Sequence, residues 1–183
     1  MTNTRTESDS MGELEVPSDA LYGAQTQRAI NNFPLSGERM PLTFLRTLVT
    51  IKKAAALANK KLETLDAGTA DAIQQACDTL LDELELQQHF PVDVFQTGSG
   101  TSTNMNANEV IANLANQQQG KREGEAVHPN DHVNNGQSSN DVIPTTIHAS
   151  AAIELTESLI PAITKLIDII DTKASSVSDY CKT

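Results

Sequence analysis

The most regular feature of the chain is a pair of apolar stripes with helical spacing between residues 41 and 84. In each stripe the apolar positions recur at intervals of three and four residues, the spacing of one buried face of an α-helix. We expect Gly68 to separate the two helices, which would then pack as an antiparallel hairpin. The stripes consist of Phe44, Leu48, Ile51, Ala55, Ala58 and Leu62, and of Ile73, Cys77, Leu80 and Leu84.

A third helix is predicted after the extended connector "HFPVDVF", in which Pro91 prevents a helix from continuing. Ser102 or Thr103 is expected to cap this helix, because a hydroxyl oxygen can accept hydrogen bonds from the unpaired N–H groups of a first turn. Gly120 is expected to end it. Its apolar interior holds Val110, Ile111 and Leu114.

A long polar loop follows at residues 121–141, with Asn135-Gly136 as its strongest turn signal. The fourth helical pattern starts near Asp141, and we expect Pro161 to kink or interrupt it. Because its apolar stripe continues almost to the last residue, the chain is expected to stop before the natural end of this helix. The stripe comprises Ile147, Ala151, Leu155, Ile163, Leu166, Ile167, Ile170, Ala174 and Val177.

Residues 1–40 carry little apolar periodicity and predict an extended lead segment with turns. Within it Arg5, Glu7 and Asp9 alternate in a way typical of a short strand or a solvated arm. Aromatic residues make up 3% of the chain, whereas alanine, leucine and isoleucine supply most of its apolar content, which favours packed helices over sheets. The sequence therefore predicts a mainly α fold.

The charge balance limits the kinds of partner. Lysine and arginine total 13 against 24 aspartate and glutamate residues, so the net charge is −11 and a phosphate backbone or anionic membrane is repelled. The sequence has neither the long apolar run of a membrane span nor a signal peptide at its start. Cys77 and Cys181 follow no disulfide or metal-ligand spacing. We expect a cytoplasmic protein that binds neither nucleic acid nor membrane.

Two polar loops hold most of the unusual composition, "GSGTSTN" at residues 98–104 and "HPNDHVNNGQSSND" at 128–141, each directly before a helix. A helix N-terminus offers unpaired N–H groups and about half a positive charge, so it can bind a carboxylate without a cationic side chain. Two such clusters in one chain predict a shared polar pocket for a small di-acid. The alternative is that both clusters only cap helices, in a non-catalytic helical interaction module.

Neither a nucleotide nor a metal ion fits these loops well. A P-loop requires lysine after its last glycine, where this chain has Thr101. His128 and His132, with Asp131 between them, could form half of a metal site on a helix. Pro129 predicts a loop there, however, and no third ligand is evident. No metal site is expected.

Three segments, in matching order and spacing, resemble class II fumarate hydratase of the fumarase/aspartase superfamily. They are "EVPSDALYGAQTQRAI" at residues 15–30, "FPVDVFQTGSGTSTNMNANEVIAN" at 90–113 and "HPNDHVNNGQSSNDVIPT" at 128–145. Aspartate ammonia-lyase is the nearest alternative in the superfamily. Its motifs typically carry Ala, Asn and Thr at three positions where this chain has other residues, and the resemblance therefore favours fumarase. These positions are Ser99, His128 and Ser139.

The resemblance implies a mostly helical subunit of three domains that forms a homotetramer through a central bundle of long helices. Residues 1–140 would form the amino-terminal helical domain with its lead segment, and residues 141–183 the first, truncated part of the bundle. The catalytic histidine and serine of the family are expected beyond Thr183. The chain alone would accordingly be inactive.

The implied reaction is the reversible hydration of fumarate to L-malate in the tricarboxylic acid cycle, without a metal or organic cofactor. The first polar loop would bind one substrate carboxylate and the second would hold the rest of the substrate. A neighbouring run resembles the secondary anion site of the family, with its Asn as a further candidate for the main pocket. By motif position these groups are Ser99, Gly100 and Thr101; Ser138, Ser139 and Asn140; and His128, Pro129, Asn130 and Asp131.

Overall fold

The computed structural model describes residues 3–9, 11–83, 85–120 and 126–180, and within them the chain folds as a β-hairpin followed by six α-helices. The mainly α fold is therefore confirmed. The strands are β1 (Thr4–Asp9) and β2 (Gly12–Pro17). The helices are α1 (Ala24–Asn32), α2 (Leu42–Lys61), α3 (Ala67–Asp82), α4 (Thr101–Gln119), α5 (Ser139–Glu154) and α6 (Ile160–Ser176). Short 3-10 turns lie at Leu86–His89 and Gly98–Gly100, and π turns at Pro129–Val133 and Leu155–Leu159.

The core lies between α2, α3 and α4, and α5 covers α2. Ile73, Cys77 and Leu80 are fully buried, which confirms the predicted face of α3. Leu84, the last residue of that predicted stripe, and Cys181 lie outside the described residues. The helical hairpin of α2 and α3 thus forms as the apolar spacing predicts.

The buried face of α2 is rotated relative to the predicted stripe. Phe44 and Leu48 are buried as expected, but Ala58 and Leu62 are exposed. The predicted stripe is wrong in its second half because it contains apolar residues only, whereas the buried face includes the fully buried Lys52. The buried residues of α2 are Phe44, Leu45, Thr47, Leu48, Val49, Lys52 and Ala56.

The turn between α2 and α3 comes earlier than predicted. Gly68 does not break the pattern but lies in the first turn of α3. The chain reverses at Glu63, which adopts φ 57°, soon after α2 ends at Lys61. Asp66 then caps α3, and its side chain accepts a hydrogen bond from the Thr69 N–H at 2.9 Å. A side-chain cap of this kind satisfies one of the otherwise unpaired N–H groups of the first turn.

Of the two alternatives for Arg5, Glu7 and Asp9, a short strand or a solvated arm, the structure shows the strand, β1. Hydrogen bonds hold this strand against the segment that leads to α1. Arg5 of β1 lies opposite Val16 of β2. Its guanidinium group donates hydrogen bonds to the carbonyl oxygens of Pro17, Ala20 and Tyr22 at 2.9, 2.8 and 2.8 Å. The planar guanidinium can contact several carbonyl groups at once, so one side chain fixes the whole path from β2 towards α1.

Helix α1 is not predicted by the apolar pattern. Its N-cap, Gly23, has no side chain to accept hydrogen bonds, and its first turn has no acidic residue. The acceptor is Glu109 of α4, which is buried. Its carboxylate accepts hydrogen bonds from the N–H groups of Gly23, Gln25 and Thr26 at 2.9, 2.9 and 3.1 Å, and from the Thr26 hydroxyl at 2.6 Å. Because this cap is more than 80 residues away in sequence, no local signal announces the helix.

The start of α4 differs from the prediction. Neither Ser102 nor Thr103 is the N-cap: the helix begins at Thr101, after Gly100 in the left-handed conformation. Gln96 takes over the capping contact, because its Oε1 accepts a hydrogen bond from the Thr103 N–H at 2.8 Å. The capping side chain thus precedes the glycine turn instead of following it, and leaves the hydroxyl groups of that turn available for other contacts.

The interior and end of α4 agree with the prediction. Val110 and Ile111 are fully buried, and Gly120 ends the helix with φ 58°. A glycine tolerates this left-handed conformation without a steric penalty, which explains the stop. The connector before α4 also agrees: apart from a β-bridge between Arg39 and Asp93, residues 90–97 form neither helix nor strand.

The last two helices follow one another almost without a break. Helix α5 begins at Ser139, slightly before the predicted start near Asp141. The predicted interruption at Pro161 is confirmed, because the π turn at Leu155–Leu159 separates α5 from α6 directly before it. Proline cannot donate a backbone hydrogen bond, and such wider turns are one way in which a helix adapts to it.

The predicted apolar stripe of α5 and α6 is exposed. The face of α5 that packs into the fold is instead the one formed by Val142, Ile143, Thr146 and Ser150. No helix of the described residues is both long and apolar enough to cross a membrane. The division between residues 140 and 141 into two domains stays a prediction. The exposed large apolar residues of this surface, which we call the bundle face, are Ile147, Ile153, Leu155, Leu159, Ile160, Ile163, Leu166, Ile167, Ile169, Ile170 and Val177.

The contact between Glu109 and α1 gives a first prediction. Glu109→Gln replaces one acceptor oxygen by an NH₂ group that faces other donors, so we expect the free energy of unfolding to fall by about 2–4 kcal/mol. Urea unfolding of the chain measures this change. Glu13→Gln, at an exposed glutamate of β2, is the matched control and should have little effect. Equal stability of the two variants would show that Glu109 does not hold α1.

Candidate functional site

The first polar loop makes a tight left-handed turn at the start of α4. Ser99 adopts φ 59° and Gly100 φ 66°, so two successive residues are in the left-handed region. This turn leaves the side chains of Ser99 and Thr101 exposed, with their hydroxyl oxygens 3.5 Å apart. The backbone therefore presents two hydroxyl groups beside the N-terminus of a 19-residue helix.

The second polar loop ends in the N-terminal turn of α5. Ser138 is the N-cap, and its Oγ accepts a hydrogen bond from the Asn140 N–H at 3.2 Å. Ser139 follows as the first helical residue, and the side chain of Asn140 is exposed. Hydroxyl and amide groups thus surround the start of this helix as well.

Two contacts join the loops to each other. Gly100 packs against α5 so closely that an added Cβ would lie 3.0 Å from Cγ2 of Ile143. Asn104, in the first turn of α4, donates a hydrogen bond from Nδ2 to Oγ of Ser139 at 3.2 Å. The starts of α4 and α5 are therefore neighbours, and the groups of the two loops lie within one region of the surface. A single pocket formed by both loops stays a prediction.

Residues 128–131 do not form the predicted loop but the N-cap and first residues of the one-turn π-helix Pro129–Val133. Pro129 opens this helix, a position where its missing N–H is not needed. His128 is the N-cap, and its Nδ1 accepts a hydrogen bond from the Asp131 N–H at 3.1 Å. Nδ1 of His132 accepts from the His128 N–H at 2.9 Å. Within the described part of the chain, no three His, Cys, Asp or Glu side chains are grouped so that they could hold a metal ion.

The same run lines a cavity of about 430 Å³ between the β-hairpin, α1 and α4. His128, Pro129 and Asn130 form one wall, and acidic residues form much of the rest. These acids have partners: Asp9 pairs with Arg28 at 2.9 Å, and Glu109 caps α1. Arg28 lowers the pKa of the Asp9 carboxyl group by hydrogen bonding. Neither residues 99–101 nor residues 138–140 line this cavity.

Behind the second loop lies a group of residues that the sequence analysis missed. The Nζ of the buried Lys52 donates hydrogen bonds to Oδ1 of Asn134 and Oε1 of Gln137, each at 3.0 Å. Burial lowers the pKa of Lys52 to about 7. A usable signal did exist: Lys52 stands four residues after Leu48 and four before Ala56, within the buried stripe of α2.

The fold and these two helix starts define the chain as a member of a family of enzymes. The family model described as Lyase matches residues 12–183, and the chain belongs to this family. Among curated proteins it is 61% identical, over 183 residues, to fumarate hydratase class II 2 of Pseudomonas aeruginosa. It is 53% identical, over 180 residues, to fumarate hydratase class II of Halobacterium salinarum. The resemblance to class II fumarate hydratase is therefore confirmed.

Solved structures give the same result. The chain matches a fumarate lyase:delta crystallin structure from Brucella melitensis with a TM-score of 0.90 and 43% identity, covering 96% of this chain and 41% of that one. It matches a class II fumarase from Schistosoma mansoni with a TM-score of 0.89 and 40% identity, covering 95% and 37%. The two curated relatives match over 100% and 98% of this chain, which spans 39% and 38% of their lengths.

The packing of Gly100 generates the second prediction. Gly100→Ala forces a side chain into the left-handed region and against Ile143, so we expect a loss of roughly 1–3 kcal/mol in the free energy of unfolding. Gly98→Ala is the matched control, since nothing lies within 4 Å of its added Cβ. Chemical denaturation of both variants measures the difference. Equal free energies of unfolding for the two variants would show that Gly100 does not pack closely against Ile143 of α5.

Proposed function

We propose that this chain supplies the carboxylate-binding part of an enzyme that reversibly hydrates fumarate to L-malate. The observation that carries the proposal is the neighbouring position of two helix starts with their hydroxyl and amide groups, joined by the Asn104–Ser139 hydrogen bond. The names of the relatives support the same reaction, although this chain spans 39% of the Pseudomonas aeruginosa relative.

The substrates of this reaction suit such a surface. Fumarate and malate are small dianions, and each helix start contributes N–H groups and about half a positive charge. We assign Ser99, Gly100 and Thr101 to one substrate carboxylate. Ser138, Ser139 and Asn140 then hold the rest of the molecule. Several hydrogen bonds from fixed donors orient a di-acid more strictly than one flexible cation does.

The difficult step is the removal of a proton from the carbon beside a carboxylate. The negative charge that remains spreads into this carboxylate, and donors already aimed at it stabilise the charge without reorganising. Loss of one such donor typically costs about 3–4 kcal/mol of barrier. We assign this role to Thr101, Ser139 and Asn140 together with the helix starts, and the proton transfers to groups outside this chain. Hydrogen bonds hold the charge in this scheme, so it requires no cofactor.

A secondary anion site is proposed for His128, Pro129, Asn130 and Asp131. The support is the wall that His128, Pro129 and Asn130 form together in the cavity beside the β-hairpin, with Asp131 next in the chain. The carboxylates of Glu7, Asp9 and Glu109 in the same cavity repel a further negative charge, so this anion site is a weak one. We therefore assign catalysis to the other region alone.

We further propose a cytoplasmic homotetramer that binds neither nucleic acid nor membrane and is assembled through the bundle face. An exposed apolar surface of this extent is typical of an interaction surface. The net charge of −11 supports the absence of nucleic-acid and membrane partners. The domain division at residues 140 and 141 belongs to this proposal, because the bundle would begin with α5.

Two other functions remain as alternatives. A related lyase acting on aspartate would use the same helix starts with a different amino-bearing substrate. A non-catalytic interaction module would use the polar loops only as helix caps. The caps formed by Ser138 and Gln96 are consistent with that alternative. The exposed hydroxyl groups of Ser99 and Thr101 favour a ligand site over capping alone.

A chimera gives the test of the function. In it, this chain replaces the matching 183 residues of the Pseudomonas aeruginosa relative. Thr101→Val or Asn140→Ala in the chimera should lower kcat/KM for malate at least about a hundredfold, because each removes a donor to developing charge. Thr79→Val, at an exposed threonine of α3, is the control. Near-normal kcat/KM of both variants would show that Thr101 and Asn140 do not stabilise the developing charge.

The same chimera separates the alternatives. Spectrophotometric assays should show turnover of malate and none of aspartate, whereas the opposite result would identify an aspartate lyase. Calorimetric titration with a small dicarboxylate that detects no binding would favour the interaction module.

The bundle face yields a prediction for the chain itself. We expect the 183-residue chain to self-associate, and Ile163→Glu with Ile170→Glu to weaken this association, because charges would be placed on the apolar surface. Sedimentation velocity over a range of concentrations measures it. Leu62→Glu changes an exposed leucine outside this face and serves as control. A chain that stays monomeric throughout would argue against an interface there.

A further inference from the structure

The most unusual buried group of the fold is the ammonium group of Lys52. This lysine is 0% exposed, in the middle of α2, and its hydrogen-bond acceptors are the side-chain oxygens of Asn134 and Gln137. The ion pairs found among the described residues include Lys53 and Lys60 of the same helix but not Lys52. A positive charge is thus held by two neutral amide groups.

Stability alone does not account for such an arrangement. Burial removes the ammonium group from water and lowers the pKa of Lys52 to about 7, which reflects the cost of holding its charge there. Replacing a buried ionic group together with its partners by apolar side chains of similar volume is often neutral or stabilising. An apolar residue of similar volume at this position would accordingly satisfy the packing of α2.

The lysine does, however, fix the orientation of two amide groups. In its charged form Lys52 can only donate, and both Asn134 and Gln137 turn their oxygen atoms towards it. Their NH₂ groups are thereby directed into the turn that precedes α5. Nδ2 of Asn134 donates to the Gln137 carbonyl oxygen at 3.2 Å, and Nε2 of Gln137 donates to that of Val133 at 2.8 Å. The turn of residues 133–137 is closed by these two bonds.

The same network reaches the candidate site directly. Oδ1 of Asn134, which accepts from Lys52, also accepts from Nδ2 of Asn104 at 3.2 Å. Nδ2 of Asn104 in turn donates to Oγ of Ser139 at 3.2 Å. A continuous path of hydrogen bonds therefore leads from the buried ammonium group through two asparagines to the first residue of α5.

We propose that Lys52 is a positioning residue of the substrate site, which orients Asn134 and Gln137 and, through Asn104, fixes Ser139 and the start of α5. The proposal rests on the proposed function as far as catalysis is concerned. Lys52 itself does not touch the substrate in this scheme. It determines where the donors of the second loop point.

The test compares two adjacent lysines. Lys52→Met keeps the volume and removes the donor, and Lys53→Met is the matched control, because Lys53 lies on the next position of α2 and pairs with Asp78 at the surface. In the chimera, kcat for malate should fall about ten- to a hundredfold in Lys52→Met, with smaller changes in KM and in Tm. Lys53→Met should keep kcat within twofold.

A double-mutant cycle examines the path. If Lys52 acts through Asn134, the variant with both Lys52→Met and Asn134→Leu should be no less active than the variant with Asn134→Leu alone. If the activity loss of the double variant equalled the product of the two single losses, the two residues would act independently and the proposal would be overturned. It would likewise be overturned if Lys52→Met lowered Tm while kcat stayed unchanged, since the lysine would then have a structural role only.

Amide hydrogen exchange of the 183-residue chain separates this proposal from the proposed function. The N–H groups to follow are those of Gln137, Asp141 and Val142, which bond to the carbonyl oxygens of Asn134 and Ser138. Lys52→Met should accelerate their exchange at least tenfold, and Lys53→Met should not. If the unsubstituted chimera shows no hydration of fumarate, the proposed function fails while this measurement still tests the lysine. Unchanged exchange in Lys52→Met would refute the positioning role.

Discussion

The buried carboxylate of Glu109 connects the amino-terminal part of the chain to the helix that carries half of the candidate site. Helix α1 lacks a side-chain cap and an acidic first turn of its own, so its N–H groups depend on this one acceptor. Glu109 lies on α4 about two turns after Thr101. The β-hairpin, which Arg5 fastens to the segment before α1, is therefore held in a fixed position relative to the start of α4.

Sequence patterns predicted those parts of the fold that local spacing determines. The α2–α3 hairpin, the end of α4 at Gly120 and the interruption before Pro161 all follow from residues within a few positions of each other. What the patterns missed depends on distant partners. Helix α1 is capped from more than 80 residues away. The turn before α3 is an exception, because its signal is local: Asp66 caps the helix through the Thr69 N–H, and this hydrogen bond, not Gly68, determines where α3 begins.

The candidate site shows the same division. Its polar residues could be named from two short loops and from the resemblance to fumarate hydratase. The role of the supporting residues could not be predicted: the stripe of α2 indicates that Lys52 is buried but not which side chains it contacts, and nothing local shows that Asn104 contacts Ser139. Sequence shows which groups could bind a ligand. The contacts that hold those groups in place join helices that are far apart along the chain, and these required the structure.

The π turn between α5 and α6 has a consequence for the shape of the bundle face. Such a turn holds one more residue than an α-helical turn, and each residue of an α-helix advances the direction of the side chains by about 100°. The side chains after Pro161 are therefore offset around the helix axis from where an unbroken α5 would have directed them. Deleting one residue of Leu155–Leu159 would cancel this offset. Ile163 and Ile170 would then lie on another side of the helix axis, while α5 and α6 would both still form.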